Sequence, residues 1–319
     1  MGDEVDGPIP PPATGDEAAM PLMAAAGALA VGLGAYALAV EPRRLQLHRH
    51  RIPWRPWRFS GASLRILVLS DIHAAWPHMT PKRIARIVER SLALAPDLVL
   101  LPGDFACTDT VGVRPVAIEE AAAALRPLAR EGRAFAVLGN HDWDYDGERV
   151  AAALEGVGIR VLRNELEPVF LDGRPLWLAG VDDPVTERHD LEAALAELPE
   201  GEPAVLLSHM PDVHREVPPA VRLVVAGHTH GGQVCLPGFG PLVTLSRLPR
   251  AQAYGLHETD ARHLFVTAGV GTTGLPIRFA RPPEIGLLEL VPAGIDDPAD
   301  RVLAAPAAGE PADALLEEA

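Results

Sequence analysis

VRLVVAGHTHGG, residues 221–232, sets two histidines one residue apart directly after a run of Val and Leu, then follows them with two glycines. An apolar run this short, bounded by turn residues, reads as a strand buried on both faces. His228 and His230 then stand at its carboxyl end. One such pair is a weak sign of a metal, since strand-end histidines are commonly solvated or hydrogen-bonded. The reading turns on whether other strands end in the same way.

They do. LVLSDIH ends in Asp71 and His73, LLPGD in Asp104, VLGNHD in Asn140, His141 and Asp142, and LLSH in His209. With His228 and His230, five apolar runs deliver Asp, Asn or His at the edge where open α/β sheets build their sites. Helical patterns lie between them. TPKRIARIVERSLALAPD opens with Thr80 as N-cap and Pro81 at the first helical position, and its apolar face comprises Ile84, Ile87, Val88 and Leu92. A helical stretch is expected near 115–130 and another over 147–157. PLWLAGVDD reads as a further strand. Apolar strands alternating with helices indicate an α/β fold whose sheet is covered on both faces.

The donor types narrow the chemistry. Carboxylates, imidazoles and one amide oxygen, without a thiolate, suit Mn²⁺, Fe²⁺, Zn²⁺ or Mg²⁺. Asp71, His73, Asp104, Asn140, His209, His228 and His230 are too many for one ion. They suit two divalent metal ions sharing a bridging carboxylate at a separation of roughly 3.5–4 Å. Gly103, Gly139 and Gly227 precede these residues and allow sharp turns and close backbone approach.

Composition agrees with this reading. The chain has 319 residues, 48% of them hydrophobic, enough to fill a sizeable core. Its formal charge of −15 is unevenly placed: residues 1–42 carry −6, residues 43–60 carry +6, and the stretch from Val291 carries −6. Residues 61–290 therefore hold the remaining −9, which argues against a nucleic-acid partner. Two cysteines, Cys107 and Cys235, are too few and too far apart for a disulfide scaffold or a cysteine zinc site.

The ends differ from the middle. Residues 22–40, LMAAAGALAVGLGAYALAV, form an uncharged run long enough to cross a bilayer. The acids before it argue against an ordinary secretory signal, and Arg43, Arg44, Arg49 and Arg51 follow it. By the positive-inside rule the chain is expected to be a single-pass inner-membrane protein with everything after residue 42 facing the cytoplasm. The expected partition is an acidic Pro-rich disordered tail over 1–20, a transmembrane helix or membrane anchor over 21–42, an α/β domain over 43–290 and an acidic Ala/Pro-rich disordered tail over 291–319.

DIH, GD, GNHD, SH and GHTH, in this order, resemble the signature of the calcineurin-like metallophosphoesterases. HGGQ at 230–233 and GVGTTGLPIRFARPPEI at 269–285 are similar to its bacterial YkuE/YaeI-type, membrane-associated branch. The resemblance spans about residues 43–290. It implies a four-layer α/β/β/α sandwich with a dinuclear metal site at the carboxyl ends of the strands. It further implies a metal-dependent phosphoric ester hydrolase in which a metal-activated hydroxide attacks phosphorus. Asp71, His73 and His230 would hold the first ion and Asn140, His209 and His228 the second, with Asp104 bridging. His141 matches the family's unligated catalytic histidine. One position departs: many relatives carry an acid three residues after the bridging aspartate to orient that histidine, and Cys107 stands there, leaving Asp109 and Asp142 as substitutes.

The expected substrate is a phosphodiester or pyrophosphate, with a phospholipid or nucleotide-linked lipid favoured by the membrane anchor. A soluble nucleotide or phosphomonoester is the alternative, and a metal-stabilised binding module is the alternative of another class. Nearby residues carry two readings each. Arg278 suits a substrate phosphate or a structural ion pair, Cys235 a redox role or packing, Asp182 and Asp183 the cleft or a turn. Trp54 and Trp57 suit a membrane interface or the domain's first strand.

Overall fold

The computed structural model describes residues 15–259 and 262–293. Residues 1–14 and 294–319, which hold most of both expected tails, lie outside them. Strands are numbered in chain order. One six-stranded sheet runs, in space, β1 (Gln46–Trp54), β16 (Glu284–Pro292), β2 (Leu64–Val68), β4 (Leu98–Leu101), β6 (Ala134–Ala136) and β7 (Arg160–Val161). The other runs β14 (Gly255–Thr259), β15 (Arg262–Val266), β11 (Val221–Ala226), β10 (Ala204–Leu207), β9 (Arg174–Gly180) and β8 (Glu165–Leu171). Two-residue strands form small ribbons, β3 (Ala75–Trp76) with β5 (Arg114–Pro115) and β12 (Cys235–Leu236) with β13 (Gly240–Pro241).

Alternation along the strands builds the layers. In β4, Leu98 and Leu100 face the core between the sheets, while Val99 and Leu101 face the helices. In β10, Val205 and Leu207 join that same central core, while Ala204 and Leu206 face outward into a third. The central strands are thus buried on both sides, which is why they read as unbroken apolar runs, while the edge strands β1, β8 and β14 stay partly exposed. The helical layer over the first sheet holds α2 (Pro81–Leu92), α3 (Ile118–Leu125) and α4 (Asn140–Glu155). The layer over the second sheet is thin, with α5 (Leu191–Leu195) and the 3₁₀ turn Pro211–Arg215 supplying Ala194 and Val213. The architecture is the expected four-layer α/β/β/α sandwich.

The start of α2 follows its sequence. The Thr80 side chain accepts a hydrogen bond from Arg83 N at 3.3 Å, Pro81 opens the helix, and Ile84, Ile87 and Val88 are buried. The helix expected over 147–157 begins seven residues earlier, at Asn140. Gly139 is its N-cap, and the Asp142 carboxylate accepts Gly139 N at 3.0 Å, a capping contact hidden in a stretch that also carries site residues. Strand β16 extends to Pro292, two residues past the expected domain end, between β1 and β2.

The amino-terminal helix, α1 (Gly15–Ala35), continues through a π turn over Tyr36–Val40 and a 3₁₀ turn over Glu41–Arg43. It starts inside the stretch expected as a tail. Met23–Arg43 is long and apolar enough to cross a membrane, with only 6% of its most apolar window buried. Trp54 lies within β1 and is buried between the sheets, with Trp57 packed edge-on to Phe59, so these residues belong to the domain.

Leu100 is fully buried between the sheets, whereas Phe170 is 62% exposed near the β8–β9 turn. Leu100→Ala is expected to cost about 2–5 kcal/mol and Phe170→Ala under about 1 kcal/mol. Denaturant unfolding of the full chain in detergent checks both values.

Candidate metal centre

The strand ends converge. β2 leads to Asp71 and His73, β4 to Asp104, β6 to Asn140 and His141, β10 to His209, and β11 to His228 and His230. Both sheets therefore supply the site from one edge. Backbone hydrogen bonds fasten these turns together: Asp71 N donates to Gly103 O, His73 N to Asp104 O and Gly227 N to His209 O, each at 3.0 Å.

Three groups of side chains offer ligand atoms lying within 4.8 Å of one another: Asp71, His73 and His230; His73, Asp104 and His141; and Asp104, His209 and His228. Asp104 belongs to two of them, with its Oδ2 3.1 Å from His209 Nε2 and 3.5 Å from His73 Nε2. The Nε2 atoms of His73 and His230 face each other at 3.2 Å, and His228 Nδ1 faces His209 Nε2 at 3.2 Å. Among the described residues, Asp71 Oδ2, His73 Nδ1 and Asn140 Oδ1 are buried without a hydrogen-bond partner. Buried polar atoms this concentrated call for an occupant. The oxygen and imidazole donors, without thiolate, suit hard or borderline divalent cations. The residues fit the metal pair.

Protonation points the same way. Burial pushes His73 and His228 down to about 4 and His230 well below its ordinary value, which favours the neutral rings whose lone pairs can ligate. Burial also works to raise the Asp104 carboxyl, yet the charge of His209 and its hydrogen bond hold it below the usual carboxylate range. His209 responds in kind. Burial works to lower it, but the Asp104 charge raises it to about 10. Its Nδ1 donates to Pro102 O at 2.7 Å, leaving Nε2 toward Asp104. That atom can offer Asp104 a proton or offer a cation its lone pair, two alternative ways of balancing the same carboxylate.

The backbone is strained to make this arrangement. Asp71, His73, Asp104, His228 and His230 have φ between 43° and 69°, the left-handed region that non-glycine residues seldom occupy. Glycines provide the remaining room. A Cβ on Gly139 would lie 2.3 Å from Asp104 Oδ1 and 2.8 Å from His209 Nδ1. One on Gly227 would meet Asp71 Oδ2 at 2.5 Å.

Asp142 does not orient His141. Its carboxylate is buried and accepts the N–H groups of Asp104, Phe105, Ala106 and Gly139 at 2.8–3.0 Å, which holds the Asp104 turn in shape. Burial, then Asp104, push its carboxyl up to about 7, while the N–H donors favour the carboxylate. Cys107 is buried. The nearest partner of His141 is Thr108, unmarked in the sequence reading, whose Oγ1 lies 2.5 Å from Nδ1. Asp109 Oδ2 is 3.9 Å from Nε2, with Thr273 Oγ1 at 3.4 Å. His141 N also donates to Asp104 Oδ1 at 3.0 Å.

Among the described residues, Arg278 is held by backbone carbonyls. It is fully buried, and its guanidinium donates to the carbonyls of Ala268, Gly269, Gly271 and Arg281, with Nη2 3.4 Å from His230 Nδ1. It braces the loop behind His230. Asp182 and Asp183 form a turn: Asp182 accepts from Trp143 Nε1, and Asp183 from the N–H groups of Val185 and Thr186. Cys235 is a buried packing residue whose Sγ lies 3.5 Å from Gly231 O. A cleft of about 630 Å³ is bordered by Trp54, Trp57, Glu202 and Arg222 at the amino ends of β10 and β11, away from these groups. Size alone does not make it the site, because the clustered donors lie at the other end of the strands.

A calcineurin-like phosphoesterase family model matches residues 64–232. The chain belongs to the calcineurin-like metallophosphoesterases. It is 32% identical over 275 residues to the uncharacterized metallophosphoesterase YkuE of Bacillus subtilis, covering 83% of this chain and 93% of that protein. It is 31% identical over 283 residues to the phosphodiesterase YaeI of Escherichia coli, covering 85% and 97%. A zebrafish transmembrane protein with a metallophosphoesterase domain is 33% identical over 237 residues, covering 70% of this chain and 52% of that one. As a member of this family the chain is a metal-dependent phosphoester hydrolase that uses a dinuclear divalent centre.

Since a methyl group at Gly139 meets Asp104 and His209 together, Gly139→Ala is expected to lower bound metal by at least about tenfold in affinity while the chain still folds. Equilibrium dialysis with Mn²⁺, alongside a thermal melt, reads both quantities.

Proposed function

We propose that this metallophosphoesterase is a phosphodiesterase or pyrophosphatase acting at a membrane on a phosphorylated, lipid-linked substrate. The observation that carries the hydrolytic part is the convergence of Asp71, His73 and His230 on one side of Asp104 and of His209 and His228 on the other. In this reading Asp71, His73 and His230 hold one cation and Asn140, His209 and His228 the second, with Asp104 shared. The unpartnered Oδ1 of Asn140 supports its inclusion. Two cations held there would supply Lewis-acid charge to the phosphoryl oxygens and to a nucleophilic water.

The chain's own groups do the rest. Asp104 sets the spacing of the two ligand groups and, through its bond from His141 N, the position of the catalytic histidine. His141 lies at the rim, its ring centroid 4.9 Å from that of His73, and its side chain is 13% exposed. It is thus placed to meet substrate and to donate a proton to the departing oxygen. Thr108 is a positioning residue that fixes the ring through Nδ1 and does the work an acid at Cys107 would do.

The membrane part rests on the apolar helix ending at Arg43 and on the basic residues after it, which favour a single-pass inner-membrane protein with the catalytic domain on the cytoplasmic side. The name of the YaeI relative supports a diesterase and that of the zebrafish relative supports the membrane. Domain limits of 43–290, slightly extended by β16, follow from the same reading.

With bis-p-nitrophenyl phosphate and Mn²⁺, the full chain in detergent is expected to release nitrophenol. His141→Ala lowers kcat by about 10²–10⁴ with metal retained, while Asp104→Ala loses the metal pair. Unchanged turnover in metal-replete His141→Ala contradicts the assignment. Thr108→Val is expected to lower kcat about tenfold with little change in KM, and Thr108→Ser to restore it. Equal loss in the Val and Ser variants contradicts the positioning role.

A further inference from the structure

Apart from Trp76, Phe170 and Val185, the large apolar side chains exposed on the described domain lie on the loop 236–245 or at Leu275 and Val111, in segments bonded to the site's loops. Leu242, Val243 and Leu245, together with Phe239 at the β12–β13 turn, are 43–61% exposed, and Leu275 and Val111 are 55% and 65% exposed. Short bonds attach the backbone of these residues to the site. Leu245 O lies 3.1 Å from His228 Nε2, and Leu275 O accepts from Gln233 Nε2 at 3.0 Å. Val111 N donates to Gly274 O at 2.8 Å, beside Thr273, which faces His141. An apolar rim of this kind exposes surface that soluble proteins ordinarily cover.

The end of the amino-terminal helix is tied to the same loop. Arg278 N donates to Ala37 O at 2.9 Å, and Arg281 N donates to Glu41 Oε1 at 2.5 Å. Arg83 Nη2 donates to Pro42 O at 2.5 Å from the helical layer. Ala37, Glu41 and Pro42 are buried against the domain. The helix therefore does not hang from a linker; its last turns are part of the body that carries the metal site. Tyr36 and Arg44, bonded to each other at 2.8 Å, supply the aromatic and basic pair found where helices leave a bilayer. Around the rim, Arg250 lies over the Phe239 ring at 5.2 Å and Arg247 is exposed nearby, basic groups suited to lipid phosphates.

We infer that the loop 236–245, with Leu275 and Val111, enters the lipid headgroup and upper acyl region beside the helix, so that the metal site opens directly onto the membrane surface. The occupant of the rim is the bilayer itself. A substrate embedded in that leaflet would meet the site by lateral diffusion, its phosphorus at the metals and its chains against Phe239 and Val243. This inference rests on the membrane reading proposed above and adds the orientation of the site toward the lipid.

The test uses the full chain, one copy per nanodisc of phosphatidylcholine and phosphatidylglycerol, with bimane attached at Phe239→Cys. Both native cysteines are buried, which keeps labelling selective. Val31→Cys in the helix reports insertion. Phe170→Cys is the water-facing control, since Phe170 pairs with Pro175 at the amino end of β9, opposite the site. With lipids brominated in the upper acyl chain, the Val31 and Phe239 labels are expected to lose at least about half their emission and the Phe170 label almost none. Quenching at Val31 without quenching at Phe239 overturns this inference and leaves the membrane reading intact. Absence of quenching at both positions overturns both. In a second preparation with two copies per disc, a Phe239 label shielded there and not in the single-copy discs assigns the rim to a second chain instead, which also overturns the inference.

Discussion

The structure depends on one buried carboxylate. Asp104 sits at the end of a strand enclosed on both faces, bonded by His209 and His141 N and close to His73, and isolated charge in such a place is costly. Three devices make it tolerable: imidazoles converge from the second sheet, Asp142 shapes the surrounding turn from beneath, and the neighbouring glycines leave no Cβ in the way. Remove the carboxylate and the two ligand groups lose the atom they share. The left-handed backbone at Asp71, His73, Asp104, His228 and His230 is the strain accepted to bring so many donors to one point.

Much of this was legible in the chain because burial on both faces imposes a pattern. A strand in a sandwich interior must be apolar throughout, so a polar residue at its end stands out, and five such ends fall on one edge. The same reasoning explains what escaped notice. Asn140 is both a candidate site residue and the first residue of α4, and in the contact that starts the helix Gly139 N donates to the Asp142 side chain, a capping arrangement that overlaps the site motif. Thr108 orients His141 from a loop with no periodicity to mark it. Arg278 binds carbonyls, and no sequence pattern distinguishes such an arginine from one reaching for phosphate.

The link between helix and domain was the least visible of all. An Ala-rich apolar run signals its length and hydropathy, and says nothing of whether its end packs against the domain. That depends on Arg278 N, Arg281 N and Arg83 reaching Ala37, Glu41 and Pro42 across more than two hundred residues of chain in two of the three cases. Fold and site are joined to the helix by the loop that also braces His230, so the direction of the helix and the opening of the site are coupled geometrically.

Anomalous diffraction from crystals of the full chain grown with Mn²⁺ tests the central claim most directly. Two peaks are expected, one among Asp71, His73 and His230 and one among Asn140, His209 and His228, with Asp104 contacting both. A single peak, or a pair that Asp104 does not touch, would contradict it.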